Sequence, residues 1–250
     1  DSSTSRGLGD VYKRQEECRV TGEGEHMEIS PIIVSMKTAS VSIVITFFLG
    51  LAAAYGVERI RSRKLQLVCD GILTLPLVLP PTVAGFFLLY IFGVKRPVGR
   101  FFLEFFGTKI AFSWQATVLA AVAISFPLMY RSARGALQQV DENLLYAGRT
   151  LGMSEWCIFW KVWFPNAMSG ILSGGILAFA RGLGEFGATA MIAGNIAGET
   201  RTLPLAVYSA VSAGNMEEAY QYVWILVIIS FLVVTGMNAV THGFQKFSRR

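Results

Sequence analysis

Arg181 and Glu185 stand four residues apart inside the apolar run Phe179-Ala180-Arg181-Gly182-Leu183-Gly184-Glu185-Phe186-Gly187-Ala188-Thr189. On a helix that spacing puts both side chains on one face, where they can form a salt bridge. Charge in such surroundings is costly unless paired or wetted, so the pair is either part of a functional site or a lock between helices. A second irregularity lies at Pro76, Pro80 and Pro81. Each proline removes a backbone donor and crowds the preceding turn, so a helix through this run kinks or breaks near its middle. Covalent chemistry is poorly provided for: there is no convergent set of His, Asp and Glu, no nucleophile with a credible base, and no GxxxxGK(S/T) loop to cradle ATP phosphates. Cys18, Cys69 and Cys157 show neither ligand spacing nor a disulfide framework, and two His against eighteen Phe argue against a metal site.

The elements that must position these residues are membrane spans. Of the 250 residues, 53% are hydrophobic and only 16% charged, with a mean hydropathy of +0.49, where a water-soluble domain carries about a quarter charged residues. Apolar runs at about 32–57, 67–92, 114–130, 167–193 and 222–240 are long enough to cross hydrocarbon. The expected fold class is an all-α integral membrane protein with about five transmembrane helices, residues 27–250 forming one transmembrane domain. Residues 1–26 are polar, and read as a translated library scar ahead of Met27 that lies outside the fold and is disordered.

The net charge of +5 reflects short basic loops beside spans rather than a nucleic-acid surface, since no basic face interleaved with aromatics occurs. The cluster Glu58, Arg59, Arg61, Arg63 and Lys64 marks the cytoplasmic side. Alternation from it places the N-terminus outside, with the 135–165 segment and the C-terminus in the cytoplasm. The loop with Lys95, Arg96, Arg100 and Lys109 against Glu104 is basic although alternation puts it outside; a short aromatic-rich loop can lie among headgroups, or attract an anion.

The segment 141–165 is too long for a mere connection. Asp141 is placed to cap a helix that starts at Glu142 and ends at Gly152. Ser154 is placed to cap a second, containing Trp156, Phe159, Trp160 and Trp163, and Pro165 marks the turn into the next span. Two short helices at the membrane surface make a stiff knob suited to docking on a partner.

This segment resembles the coupling loop of ABC importer permeases, whose pattern is Glu-Ala-Ala, three residues, Gly, nine residues, then Ile-x-Leu-Pro. Tyr146 stands where the family has Glu, Ala147 and Gly148 at the two alanines, Gly152 at the fixed glycine, Val162 at the Ile, Phe164 at the Leu and Pro165 at the Pro. Further blocks are similar to the molybdate permeases of this family: Leu75 to Gly85, Phe112-Ser113-Trp114, Ser125 to Met129, Phe179 to Thr189 and Gly194 to Pro204. Sulfate and thiosulfate permeases share several of them.

The resemblance implies a type I importer permease fold in a bacterial inner membrane, paired with a second copy of itself. It further implies two ATPase subunits beneath, holding ATP and Mg while this chain binds no cofactor, and an extracytoplasmic oxyanion-binding protein that delivers molybdate or tungstate. On that reading residues 146–148, 152, 162, 164 and 165 couple to the ATPase. Pro80, Pro81, Thr82, Ser125, Arg181, Glu185, Gly187 and Thr189 then line the path or gate, Glu185 orienting or neutralising Arg181 rather than touching the anion. An anion in transit should be held weakly, by small residues, hydroxyls and transient positive potential; Ser and Thr in spans more often bond their own backbone. Glu199 and Arg201, outside in this topology, are candidates for docking the binding protein. A secondary transporter, using discontinuous helices and the Arg181/Glu185 pair for ion coupling, is the reading from another class.

Overall fold

Long apolar runs in this chain become long helices, and each interruption has a residue that causes it. Residues 28–248 are described in the computed structural model, without the side chains of Phe106 and residues 240–248. The expectation for residues 1–26 lies outside these. Helix α1 (Ser30–Glu58) is uninterrupted over 29 residues, about 43 Å at helical rise and ample for roughly 30 Å of hydrocarbon. Helices α2 (Arg63–Val78) and α3 (Pro81–Phe92) follow, bent by 111° at the break between them. Next come α4 (Pro97–Phe106), α5 (Trp114–Gln138) and the short α6 (Glu142–Thr150). Helix α7 runs through Glu155–Leu183 and is followed by α8 (Gly187–Ile192), α9 (Leu203–Ser212) and α10 (Met216–Ser248).

Among the described residues, four helices are long and apolar enough to cross a membrane, or five when the bent α2–α3 pair counts as one span. The third span is longer than its apolar run, because helix α5 continues past Tyr130 to Gln138 with Pro127 inside it. The fourth is displaced. Pro165 does not turn the chain, since α7 passes through it without a break. Residues 159–163 form a π-helical turn in which the Phe164 N–H donates to Phe159 O, and this wider turn just ahead of Pro165 absorbs the proline's crowding of the preceding carbonyls. The second knob helix is therefore the first part of a 29-residue helix, which ends at Leu183 rather than at 193.

Helices α1, α5 and α7 share a core of Leu51, Ala54, Met129, Tyr130, Ala133, Leu137, Phe159, Ala167 and Ile171. A second cluster of Ala84, Ala116, Ala120, Ile124, Ala188 and Ile192 joins α3, α5 and α8. Between α1 and α5 runs a seam of buried hydroxyls. Thr38 and Thr117 are 2.9 Å apart and Thr46 and Ser125 3.0 Å, and the Trp114 indole N–H donates to Thr38 at 3.1 Å. Each polar group in the seam is satisfied by its neighbour, which hydrocarbon requires.

The ends of the helices define two faces. The Arg134 guanidinium on α5 meets Glu58 at the end of α1 at 2.6 Å, so the basic 58–64 turn and the α6 knob share one face. At the other face Tyr222 of α10 donates to Glu28 O at 3.3 Å and the Leu203 N–H donates to Ser35 at 2.7 Å.

The closest approach in the second cluster is at Gly85, where a Cβ would lie 2.7 Å from Ala188 Cα and 2.9 Å from Met191 Cβ. Gly85→Leu should push α3 off α8 and cost about 1–3 kcal/mol, read as a lowered unfolding temperature in detergent. Gly56→Ala, where a Cβ meets nothing within 4 Å, is the control that should not lower it.

Candidate functional site

The two irregularities noted in the sequence face each other. At the first, α2 ends at Val78 and α3 begins with Pro81 as its first residue, where a missing N–H costs nothing. Pro80 O accepts from the Val83 and Ala84 N–H groups at 2.9 and 3.1 Å, so the break leaves its own turn closed. At the second, α7 stops at Leu183, with Gly184 N–H donating to Ala180 O and Glu185 N–H to Gly182 O, each at 3.2 Å. A Cβ at Gly187 would lie 3.1 Å from Pro81 Cβ and 3.2 Å from Thr82 N. The breaks stack because that position has no side chain.

Glu185 and Arg181 tie the second break together. Glu185 is 1% exposed and its Oε2 lies 2.7 Å from Arg181 Nη1, in ionic contact without hydrogen-bond alignment. Its Oε1 accepts the Ala188 N–H at 2.8 Å, capping the first turn of α8, where a negative group also favours the helix dipole. Arg181 is 33% exposed, so the pair presents its cation and hides its carboxylate. A Cβ at the neighbouring Gly182 would meet Ser42, Ala121 and Ser125, which lie near the middle of α1 and α5. The charges therefore sit near half-depth.

Of the other path candidates, Pro80 and Thr82 are exposed, Pro81 is half-buried and Gly187 is buried at the contact between the breaks. Thr189 is 2% exposed. Ser125 stands beside Gly182. Its hydroxyl faces Thr46 and donates to Ala121 O at 2.7 Å, so it belongs to the α1–α5 seam. Glu199 is exposed, whereas Arg201 holds Asn195 at 2.9 Å and Glu28 at 3.3 Å, fixing its own loop to the start of the chain's first helix.

One cluster has no counterpart in the sequence reading. Arg134 bridges Glu58 of α1 and Asp70 of α2, Tyr130 donates to Asp70, and Gln138 donates to Glu58 at 2.7 Å. With Thr74, Arg131 and Gly135, the residues Asp70, Tyr130, Arg134 and Gln138 line a cavity of about 290 Å³. The signal was there: Asp70 is a lone carboxylate inside an apolar run, and such a group needs a partner.

The knob is rigid by construction. Asp141 accepts the Asn143 N–H at 2.9 Å and Ser154 the Cys157 N–H at 3.3 Å. Gly152, at φ +75°, closes α6 with paired bonds from its own N–H to Arg149 O and from Met153 N–H to Gly148 O, at 2.9 and 3.1 Å. Buried Gly148 admits Ile158, whose Cγ1 would be 3.1 Å from a Cβ there. Arg149 grips Glu155 with two hydrogen bonds, 2.8 and 3.2 Å, and this raises the guanidinium pKa above its usual value. The Trp163 indole N–H donates to Leu137 O at 2.9 Å, fastening α7 to α5. Tyr146, Ala147 and Pro165 are exposed, Val162 and Phe164 half-buried, and the tip shows Leu151 at 80% and Trp156 at 64% exposure.

If Glu185 caps and orients, its charge and its acceptor atoms separate on mutation. Glu185→Ala loses both and should destabilise by about 1–3 kcal/mol; Glu185→Gln keeps an acceptor for Ala188 and should lose less. Thermal unfolding of the two variants checks the order, and equal unfolding temperatures would contradict it.

The model of the family described as "Binding-protein-dependent transport system inner membrane component" matches residues 31–250. The chain is 42% identical over 190 residues to the molybdenum transport system permease protein ModB of Escherichia coli K12, covering 76% of this chain and 82% of that one. It is 39% identical over 207 residues to the ModB protein of Haemophilus influenzae, covering 83% and 90%. Among solved structures, the MetNI methionine ABC transporter in an inward-facing form aligns with a TM-score of 0.70 at 19% identity, covering 88% of this chain and 99% of that one. A bacterial ABC transporter importing alginate aligns at 0.69 and 13% identity, covering 89% and 82%; at these identities the likeness is one of fold. A match over residues 31–250, borne by described residues that are helical and hold four to five apolar spans, makes this chain a member of the binding-protein-dependent inner-membrane components, the permease subunits of ABC importers.

Proposed function

We propose that this permease provides the gated route for molybdate, delivered by an extracytoplasmic oxyanion-binding protein and admitted to the cytoplasm by a pair of these chains. Two separate ATPase subunits would dock on the exposed α6–α7 knob and supply the force. The observation that carries the mechanism is the continuity of α7. One helix of 29 residues starts in the knob at Glu155 and ends at Leu183, beside the stacked breaks, so a push on the knob would be carried along one helix to Arg181, whose partner Glu185 stands just beyond its end. Support for molybdate comes from relatives at 39–42% identity named as molybdenum transport permeases.

The geometry suits transit of an anion rather than its capture. Arg181, one-third exposed, offers positive potential partly offset by Glu185, and the small residues around it supply no cage; a tight site would stop release. The basic turn with Arg59, Arg61, Arg63 and Lys64 supports a cytoplasmic knob face under the positive-inside rule.

Reconstitution of the chain with its ATPase and binding protein in liposomes tests this reading. Molybdate-loaded binding protein should stimulate ATP hydrolysis and molybdate uptake, with sulfate a poor competitor. Effective competition by sulfate or thiosulfate moves the chain to those permeases, and uptake without the ATPase makes it a secondary carrier. Gly152→Val strains a left-handed position that a β-branched residue adopts only at a cost of about 1–2 kcal/mol and displaces the knob tip. Stimulated hydrolysis should fall by about tenfold or more while the complex still assembles, measured by size-exclusion chromatography and ATPase assay.

A further inference from the structure

Helix α4 is amphipathic, and much of its apolar side is exposed. Gly99 marks the packed side: a Cβ there would lie 2.6 Å from Phe92 O, against the end of α3. Val98, Phe101 and Phe105 form one helical stripe, about 100° or more around the helix from Gly99. Val98 is 37%, Phe101 49% and Phe105 74% exposed. Arg100 and Glu104, four residues apart, occupy the opposite flank.

The position of α4 in the fold says what meets this stripe. It joins α3 to the start of α5, on the face away from the knob. Trp114 at that end of α5 carries Lys37 over its ring at 4.1 Å, an aromatic and a lysine at the depth where both anchor a bilayer surface. The preceding helix α3 also exposes apolar side chains, Phe86, Phe87 and Ile91. Basic groups cluster around it: Lys95, Arg96, Arg100 and Lys109, against the single acid Glu104. Arg96 is braced over the Tyr90 ring at 3.8 Å, and Gly107, at φ +65°, ends the helix before Lys109. An apolar stripe bordered by cations at bilayer-surface depth is complementary to lipid, with acyl chains under the phenylalanines and phosphates against the bases.

We propose that α4 is an interfacial anchor that lies in the headgroup layer and selects anionic phospholipid. This explains why a basic loop sits on the face where the positive-inside rule expects few basic residues: the charges serve lipid contact at α4.

Two measurements on the full complex in lipid nanodiscs test it. In the first, Phe105→Cys, in a background with Cys18, Cys69 and Cys157 replaced by serine, carries an environment-sensitive fluorophore. The label should be quenched by brominated acyl chains and shielded from aqueous iodide. In the second, native mass spectrometry of the chain with its natural cysteines compares retained phosphatidylglycerol with phosphatidylcholine. Lys95→Gln, Arg100→Gln and Lys109→Gln together should lower the phosphatidylglycerol preference, by about fivefold per charge removed. A label reached by iodide overturns the proposal, as does one shielded from both quenchers, which would mean that a second copy or the binding protein covers the stripe. An unchanged lipid preference in the triple variant also overturns it.

Discussion

A chain inside hydrocarbon has no water to satisfy its backbone, so every N–H and C=O must be bonded within the protein or face a wetted space. The most informative parts of this molecule are the two places where that rule is strained. The α2–α3 break at Leu79 and Pro80 and the α7–α8 break at Gly184 to Phe186 interrupt two spans, and the protein meets the strain by stacking them. Pro81 and Thr82 lie against Gly187, Pro80 O takes two N–H groups, and Glu185 caps α8 with one oxygen while contacting Arg181 with the other. Together the two breaks form an irregular seam with a cation at its edge.

What surrounds the seam is stiff. Helices α1 and α5 are bound by buried hydroxyl pairs and by alanine and glycine contacts, and α7 is fastened to α5 through Trp163 and Leu137. On the knob face Arg134 gathers Glu58 and Asp70 from two helices, tying the first half of the broken span to the bundle. In the proposed importer, motion is then confined to rigid elements sliding at the breaks, as expected where packed cores are bistable rather than elastic. On that proposal the knob and α7 would act as one mechanical line that ends at Arg181.

The presence of four to five spans was legible in the sequence because length and hydropathy decide it, and the knob's caps because Asp141, Gly152 and Ser154 are punctuation with known geometry. The proline break was legible for the same reason. The path through Pro165 was not: a proline ordinarily ends a helix, and only the π turn over 159–163, a tertiary accommodation, lets this one continue. That the Ser125 hydroxyl turns to Thr46 was not legible, because composition cannot say which face of α5 looks toward α1. The Glu58–Arg134–Asp70 cluster went unread because its members are far apart in sequence, and a contact between spans leaves no periodic signal in any one of them.

The central claim is that force enters at the α6–α7 knob from a separate cytoplasmic ATPase. Site-specific cross-linking from Leu151→Cys, at the exposed tip, measures this most directly in the assembled complex in membranes. The account predicts a cross-link to the ATPase subunit and protection from a membrane-impermeant thiol reagent added outside. Labelling from the outside, or cross-linking to the binding protein in place of the ATPase, would contradict it.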